Sequence, residues 1–307
     1  MSVVERWFEK AAEQPRRVLL ADHDQRAIEA ADRLNRDGLA EALIVGRDVM
    51  SVAEVGHRAA QEHLAALAAV TEGPWAGRFL DLDDPLVIAT ALVQSGWADA
   101  AVGGATRATS DVIRAGLRVL GTRPGVETVS SCFLLVLPDG QPVVFGDCGV
   151  VPDPSSTQLC DIARDSAATF QQLVGAEPVV ALLSFSTKGS AEHPRVDKIR
   201  TAVDLLRAQA PELSVDGELQ FDAAWDPEVA AIKAPDSSVA GRANVFVFPD
   251  LDSGNIAYKL TERLGGAQAF GPLLQGFNGV LHDLSRGCSV EDMVAVSVIA
   301  ALQAQPG

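Results

Sequence analysis

Short apolar segments alternate with segments of helical periodicity along most of this sequence. The apolar runs at residues 17–21 and 43–46 enclose a helical pattern, which is the arrangement of a βαβ unit. A further apolar run at 100–103 reads as a short buried strand. Helical patterns cover residues 25–35, 51–70, 85–95 and 111–120. Because strands that alternate with helices form layered α/β folds, we expect ligands at the carboxyl ends of the strands.

The pattern changes near Pro124. Residues 129–136 and 141–145 are rich in β-forming side chains and flank Pro138-Asp139-Gly140, a turn sequence that predicts an antiparallel hairpin. Alternation then resumes, with helices expected at 157–174, 195–210 and 289–304, strands at 179–185 and 245–248, and a strand followed by a helix within 219–232. No long linker separates the two halves, so a boundary near residue 124 depends on this change of pattern alone.

Charge and cysteine usage exclude several classes of protein. The chain has 25 Lys and Arg against 41 Asp and Glu, a net charge of −16, and no basic run, which disfavours nucleic acid and anionic membranes as partners. No stretch is apolar enough for a membrane span, and the first residues contain no signal core. The 4 cysteines form no CxxC pair. Together these features predict a cytoplasmic protein.

The common catalytic motifs are missing from the sequence. We find no GxGxxG, GxxxxGK[ST], GxSxG or HExxH pattern, which lowers the expectation of a dinucleotide dehydrogenase, a P-loop ATPase, a serine hydrolase or a zinc protease. The 5 histidines are scattered, and Asp250-Leu251-Asp252 has too few ligands for a calcium loop. We therefore expect no metal site.

Two strand-end segments combine glycine with hydroxyl and basic side chains. Residues 103–110 lead into a predicted helix that carries Arg114, so backbone amides and a guanidinium there could bind an anion. The alternative is an ordinary helix cap beside a solvated arginine. Residues 184–190 leave a strand with Thr187 and Lys188, and the alternative there is a surface loop.

Two further segments carry acids at the start of a predicted helix. In 246–259 the acids Asp250 and Asp252 could simply stabilise the helix dipole. In 282–292, Arg286 could stabilise a developing negative charge, Ser285 could donate a hydrogen bond and Asp292 could accept a proton. However, Asp292 also stands three residues after a serine, the spacing of a capping box, and spacing alone does not decide between the two roles.

Five stretches, taken together and in order, resemble the phosphate acetyltransferase (phosphotransacetylase) family within the wider phosphate acetyl/butyryltransferase group. The stretches are VGGATRATSDVIRAGLRVLGTRPGVETVSS, FGDCGVVPDP, LSFSTKGSAEHPRVDKI, GELQFDAAWDPEVAAIKAPDSSVAGRANVFVFPDLDSGNIAYK and LSRGCSVEDM. They cover most of residues 84–294. The opening RVLLADHD is also similar to the first strand of that family.

The resemblance implies a two-domain, three-layer α/β/α fold similar to that of the isocitrate and isopropylmalate dehydrogenases. Domain I would comprise residues 1–124 plus 278–307, and domain II would comprise the inserted residues 125–277 with the hairpin. It also implies a homodimer that transfers an acetyl group reversibly between CoA and inorganic phosphate in a ternary complex. CoA and acetyl phosphate are then substrates, and no cofactor is permanently bound.

The resemblance also assigns roles to residues of the matching stretches. Asp292 would accept the CoA thiol proton, Arg286 would bind the acyl phosphate and stabilise the carbonyl oxygen, and Ser285 would help to align it. Further candidate contacts to substrate or CoA are Arg114, Thr109, Ser131, Thr187, Lys188, Asn255 and Lys259.

One stretch departs from the family pattern. Where the family carries a basic ELRKxKG-like segment, this chain reads LAALAAVTEGPWAGRFLDLDD, in which Arg78 is a possible substitute. Three alternatives therefore stay open: an acyltransferase for a longer propionyl or butyryl group, a CoA- or acyl-phosphate-binding member with impaired catalysis, and a dehydrogenase on the related fold. The intact LSRGCSVED segment favours acyl transfer.

Overall fold

A computed structural model describes residues 1–69 and 78–304. The chain divides into two compact units. The first unit comprises Met1–Gly125 and Phe277–Gly307, and the second unit comprises Val126–Gly276. The first unit is therefore discontinuous in sequence.

The strands of the described residues are β1 Arg16–Leu20, β2 Ala40–Ile44, β3 Ala100–Gly103, β4 Ser130–Val136, β5 Pro142–Gly146, β6 Val179–Leu183, β7 Ser214–Leu219, β8 Val245–Val247, β9 Gln268–Gln275 and β10 Val280–Asp283. The helices are α1 Val3–Glu13, α2 Gln25–Arg36, α3 Val52–Val55, α4 Arg58–Ala68, α5 Pro85–Gln94, α6 Thr109–Val119, α7 Ser156–Val174, α8 Pro194–Gln209, α9 Phe221–Trp225, α10 Pro227–Lys233, α11 Leu251–Arg263 and α12 Val290–Gln303. Helix and strand alternate along both units, which confirms the predicted α/β class.

The first unit is built on a parallel sheet with the strand order β10-β3-β1-β2. Its strands are short and largely buried; β3 is buried at every position. Two helices are buried on all sides over most of their length, α5 at residues 86–93 and α12 at residues 293–302, a pattern typical of helices enclosed by other elements. Helix α12 packs against α1, α2 and the sheet. These layers hold the carboxyl ends of the parallel strands at one edge.

The second unit contains a mixed sheet with the order β7-β6-β8-β5-β4-β9. Strands β7, β6, β8 and β5 are parallel, and β4 runs antiparallel to both β5 and β9. The β4–β5 pair is the hairpin predicted from Pro138-Asp139-Gly140, and this prediction is confirmed. A cluster of aromatic rings, including Phe145, Phe246 and Phe248, fills the core beside these strands.

Two predicted helices are interrupted in the structure. The single helix expected over residues 51–70 is wrong, because α3 ends at Gly56, whose left-handed φ of 69° stops the helix before α4 begins; residue 70 lies outside the described residues. The helix expected after β7 divides into α9 and α10 at Asp226, which is followed by Pro227. Since proline supplies no backbone N–H, it begins a new helix more readily than it continues one.

Candidate active site

Three loops of the first unit meet at the carboxyl edge of its parallel sheet. They follow β1, β3 and β10 and contain Asp22, Gly104 and Arg286. Strand β2, which follows β1 in the chain, lies on one side of β1, and the next strand, β3, lies on the other side. The carboxyl ends of β1 and β3 therefore form the topological switch point, the position at which open α/β sheets bind ligands.

Asp22 joins two of these loops. Its carboxylate, which is buried, accepts hydrogen bonds from the backbone N–H of Ala105 at 2.9 Å and of Thr106 at 3.0 Å, and from the Thr106 hydroxyl at 2.5 Å. Two of the amides that the sequence offered to an anion are thus engaged by the chain's own carboxylate. Arg114 lies further along α6, where its exposed guanidinium pairs with the half-buried Asp111 at 2.8 Å.

Thr109 joins the same loop to the end of β10. The sequence predicts hydroxyl capping of a helix that begins at Asp111, and this is wrong: α6 begins at Thr109, and its N-cap residue Ala108 makes no side-chain cap bond. The Thr109 hydroxyl instead donates to Asp283 Oδ2 at 2.5 Å. This hydroxyl therefore links the β3–α6 loop to the strand that precedes Ser285.

The carboxyl group of Asp283, at the end of β10, is buried. Its residue is 1% exposed, and Oδ1 has no hydrogen-bond partner among residues 1–69 and 78–304. Burial raises the pKa of this carboxyl to about 6, against the weaker opposing effect of the Thr109 hydrogen bond. Gly104 has a φ of 112°, and a Cβ added there would lie 2.0 Å from Asp283 Oδ1. Only glycine fits beside this oxygen.

The raised pKa of Asp283 gives stability a defined pH dependence. Because the folded pKa of about 6 exceeds the ordinary value of 3.8, protonation of this group stabilises the fold at low pH, and that contribution is lost as the pH rises through 6. We expect Asp283→Asn to raise stability at pH 8 by up to about 3 kcal/mol and to have little effect at pH 3.5. Thermal unfolding of both proteins at the two pH values tests this, and an equal difference at both would contradict it.

The loop after Asp283 presents Ser285 and Arg286 to solvent. The Ser285 carbonyl accepts the Cys288 N–H at 2.9 Å, and the Ser285 hydroxyl accepts the Gly287 N–H at 3.4 Å. The guanidinium of Arg286 makes no hydrogen bond or ion pair with any residue in the described ranges. It is therefore an exposed cation that is available to an anionic ligand.

Asp292 stands in the first turn of α12. The capping box predicted with Ser289 is confirmed: Asp292 Oδ2 accepts the Ser289 N–H at 2.8 Å, and Ser289 Oγ accepts the Asp292 N–H at 3.1 Å. Asp292 is exposed, and Oδ1 has no hydrogen-bond partner within the described part of the chain. One oxygen thus caps the helix while the other stays open to solvent, so the structural and chemical roles are compatible.

In the second unit, Ser131 and Asn255 converge on the loop after β5. The N–H and hydroxyl of Ser131 donate to Asp147 Oδ1 at 2.9 and 2.5 Å. The Asn255 side-chain amide donates to the Cys148 carbonyl at 3.0 Å. Asp147 also accepts the backbone N–H groups of residues 149–151. These two candidate residues therefore fix the shape of one loop.

The remaining candidates lie on other segments of the second unit. The Thr187 hydroxyl accepts the Gln220 N–H at 2.9 Å. Lys188 Nζ donates to the buried Asp216 at 2.5 Å. Lys259 is exposed, and its Nζ lies 2.9 Å from the Tyr258 hydroxyl and 4.8 Å from the centre of that ring. Lys188 is thus engaged within the fold, whereas Lys259 is accessible.

The cysteines are free thiols inside the fold. All four are free and buried: Cys132, Cys148, Cys160 and Cys288. Burial raises the pKa of Cys160 and of Cys288 to about 11, so both remain protonated at neutral pH.

Across residues 1–69 and 78–304, no group of three His, Cys, Asp or Glu side chains could hold a metal ion. No helix in these ranges is long and apolar enough to cross a membrane.

Sequence reasoning missed several residues that shape these loops. Asp22, Arg26, Asp283 and Asp147 hold backbone groups or side chains of the predicted segments. Asp22, Asp147 and Asp283 each stand at or within two residues of the end of a buried strand, and this position was the available signal. Their partners on other loops are far away in the chain, such as Ala105 for Asp22 and Cys288 for Arg26, so no local spacing identifies these contacts.

A discontinuous α/β fold with an exposed arginine and aspartate at a sheet edge is compatible with an enzyme that acts on an anionic substrate. The sequence profile of the Phosphate acetyl/butaryl transferase family matches residues 75–301. The chain belongs to this family and is therefore a transferase, which confirms the resemblance stated from the five stretches.

Individual relatives agree. A phosphate acetyltransferase of Clostridium acetobutylicum is 42% identical, with 100% of both chains covered. A phosphotransacetylase crystal structure from Streptococcus pyogenes has a TM-score of 0.88 and 39% identity, covering 98% of each chain. A putative 4-hydroxythreonine-4-phosphate dehydrogenase from Salmonella typhimurium shares the fold at a TM-score of 0.52 and 14% identity, covering 95% of this chain and 100% of that one. The predicted likeness to a dehydrogenase fold is confirmed.

Proposed function

We propose that this protein transfers an acetyl group reversibly between CoA and inorganic phosphate. Full-length relatives with the name phosphate acetyltransferase support this reaction. The observation that carries the proposal is the LSRGCSVEDM segment at the carboxyl edge of the first unit's sheet. It presents Ser285, Arg286 and Asp292, and neither the Arg286 guanidinium nor Asp292 Oδ1 has a partner among the described residues.

Asp292 is the proposed general base. A CoA thiol with a pKa near 8.5 is mostly protonated at neutral pH, so a carboxylate beside it raises the fraction of attacking thiolate. The proton passes to Asp292 Oδ1 while the sulfur attacks the carbonyl carbon of acetyl phosphate. The C–O bond to phosphate then breaks, which releases inorganic phosphate and acetyl-CoA.

Arg286 is the proposed anion site. Its guanidinium has five N–H donors in a planar array that matches the oxygens of a phosphoryl group. The same positive charge stabilises the oxyanion of the tetrahedral intermediate. Ser285, the adjacent exposed residue, is proposed to align the acyl phosphate through its hydroxyl. No protein nucleophile takes the acetyl group in this scheme.

The other candidate residues divide into accessible and internal groups. We propose that the exposed Arg114 and Lys259 contact the phosphates of CoA, since both are cations on the surface. The remaining candidate residues already make hydrogen bonds within the fold, so the support for their proposed substrate contacts is their place in the stretches that match the family. These residues are Thr109, Ser131, Thr187, Lys188 and Asn255.

The proposal extends to organisation and partners. We propose residues 1–124 plus 278–307 as domain I and 125–277 as domain II, a division supported by the two compact units.

We propose a homodimer, for which the exposed apolar residues Ile256, Leu260 and Leu264 of the α11 region offer a surface. The free cysteines support a cytoplasmic location. CoA is a substrate here and not a bound cofactor.

A thioester assay tests the reaction. Purified protein is mixed with CoA and acetyl phosphate, and the absorbance of the thioester is followed over time. We expect product formation that requires both substrates, and reversal when acetyl-CoA is mixed with inorganic phosphate. Absence of thioester would overturn the proposal. Use of butyryl phosphate at a rate at least about 10-fold above that of acetyl phosphate would replace the proposal by the longer-acyl alternative. A methylene group in an apolar pocket changes the rate by at least about this factor.

A further inference from the structure

Arg26, the second residue of α2, makes a complete set of hydrogen bonds with its guanidinium. Nε and Nη2 donate to Asp24 Oδ2 at 2.9 and 2.7 Å, and Nη2 also donates to the Ala105 carbonyl at 3.1 Å. Nη1 donates to the carbonyls of Arg286 at 3.0 Å and Cys288 at 2.9 Å. An arginine has five N–H donors, and all five have acceptors here.

The guanidinium groups of Arg26 and Arg286 therefore differ in their hydrogen bonding. Arg26 is fully engaged within the fold, whereas the guanidinium of Arg286 has no partner in the described residues. They are connected, because one of the carbonyls that Arg26 binds belongs to Arg286 itself. Arg26 is unsuited to bind a ligand, since a ligand would have to displace bonds that are already made. Its chemistry is that of a support for the loop that carries the other arginine.

We propose that Arg26 is a positioning residue that fixes the backbone of residues 286–288 and thereby aims the Arg286 guanidinium at the acyl phosphate. This inference rests on the proposed function. Within the loop itself, the hydrogen bonds are the Cys288 N–H to the Ser285 carbonyl and a long contact from Gly287 at 3.4 Å. Arg26 binds two backbone carbonyls of this loop and one of the β3–α6 loop.

Asp24 makes the support rigid. One carboxylate oxygen caps α2 by accepting the Ala27 N–H at 3.1 Å, and the other accepts two bonds from Arg26. The guanidinium is thus held on one side by the helix that carries it and reaches three carbonyls on the other side. Lysine has a single nitrogen and cannot span carbonyls of two loops while keeping both bonds to Asp24. Arg26→Lys therefore preserves the charge and removes the planar array.

The kinetic test is a double-mutant cycle. We expect Arg26→Lys to lower kcat by about 10-fold to 100-fold, because displacing a catalytic group by about 1 Å has effects of this size. If Arg26 acts through Arg286, adding Arg26→Lys to an Arg286→Gln protein should change kcat by less than about twofold. Multiplication of the two single effects would show that Arg26 acts independently, and the proposal would be overturned.

Arg33 provides a matched control on the same helix. Its guanidinium also reaches the α12 region, but through the exposed side chain of Glu291 at 3.6 Å and not through the loop backbone. We expect Arg33→Lys to leave kcat unchanged. Asp24→Asn keeps a capable cap for α2 but weakens the anchoring of Arg26, so it should reduce kcat in the same direction as Arg26→Lys. An unchanged kcat in Asp24→Asn and Arg26→Lys together would overturn the proposal.

Hydrogen exchange separates this inference from the proposed function. Backbone amides of residues 286–289 are compared in the wild-type protein and Arg26→Lys, a measurement that needs no turnover. We expect faster exchange at the Cys288 amide in Arg26→Lys, with the amides of the α5 core unchanged. Equal exchange in both proteins would overturn the support role. A wild-type protein without thioester activity but with this exchange difference would overturn only the proposed reaction and the aiming step.

Discussion

Replacing Asp292 by asparagine is expected to lower kcat by about 10² to 10⁴, the usual contribution of a general base. Asparagine retains a carbonyl oxygen that can accept the Ser289 N–H, so the capping geometry survives while the proton acceptor is lost. The midpoint of thermal unfolding should therefore stay close to that of the wild-type protein. Steady-state rates with CoA and acetyl phosphate, measured beside the unfolding curve, check both halves of this expectation.

Ser289→Ala is the matched control for that substitution. It removes the hydroxyl that accepts the Asp292 N–H and costs about 1 kcal/mol of stability, yet it leaves the carboxylate in place. We expect a lower unfolding midpoint and nearly unchanged kcat, the reverse of the result for Asp292→Asn. If both substitutions reduced kcat equally, Asp292 would act as a helix cap alone.

The elements that were predicted correctly have local signals. The buried strands β1 and β3 are short apolar runs, and the capping box before α12 is a fixed spacing of Ser289 and Asp292. The interruptions at Gly56 and Asp226 were missed because a helical period of apolar residues continues across them. Strands β9 and β10 and helix α1 were also missed. Strand β9 contains Gly271 and Pro272, residues that weaken the pattern of a strand.

The candidate site was predictable in part because some of its residues also lie close together in the sequence. The sequence names Ser285, Arg286 and Asp292 within eight consecutive residues, and the structure places all three at or beside one loop. It does not show that Asp22 would engage the amides of Ala105 and Thr106, since 83 and 84 residues separate these partners. Long-range pairs of this kind depend on tertiary packing, which has no local period.

Lysine and arginine roles were the hardest to assign from sequence. A basic residue in a strand-end loop has the same local pattern whether it faces a ligand or an internal acid. Lys188 pairs with Asp216, 28 residues away, whereas Arg286 keeps its guanidinium free of partners in the described ranges. The distinction depends on which carboxylates the fold brings near, and burial of Asp216 makes the loss of its cationic partner costly.

Arg286→Gln is expected to lower kcat by about 10² or more, because the oxyanion and the departing phosphate lose the positive charge that the proposed mechanism assigns to this guanidinium. The substitution removes no hydrogen bond or ion pair made by this guanidinium within residues 1–69 and 78–304, so thermal stability should not change. Steady-state kinetics and an unfolding curve of the same preparation measure the two effects.

Arg286→Lys separates charge from geometry. An ammonium group keeps the positive charge but presents no planar pair of donors, so we expect a kcat between those of Arg286→Gln and the wild-type protein. Added guanidinium ion should restore part of the rate in Arg286→Gln, since the vacated position is exposed to solvent. A result in which Arg286→Gln unfolds at lower temperature but turns over normally would assign this arginine to stability. The charge at the reacting centre would then have to come from another residue.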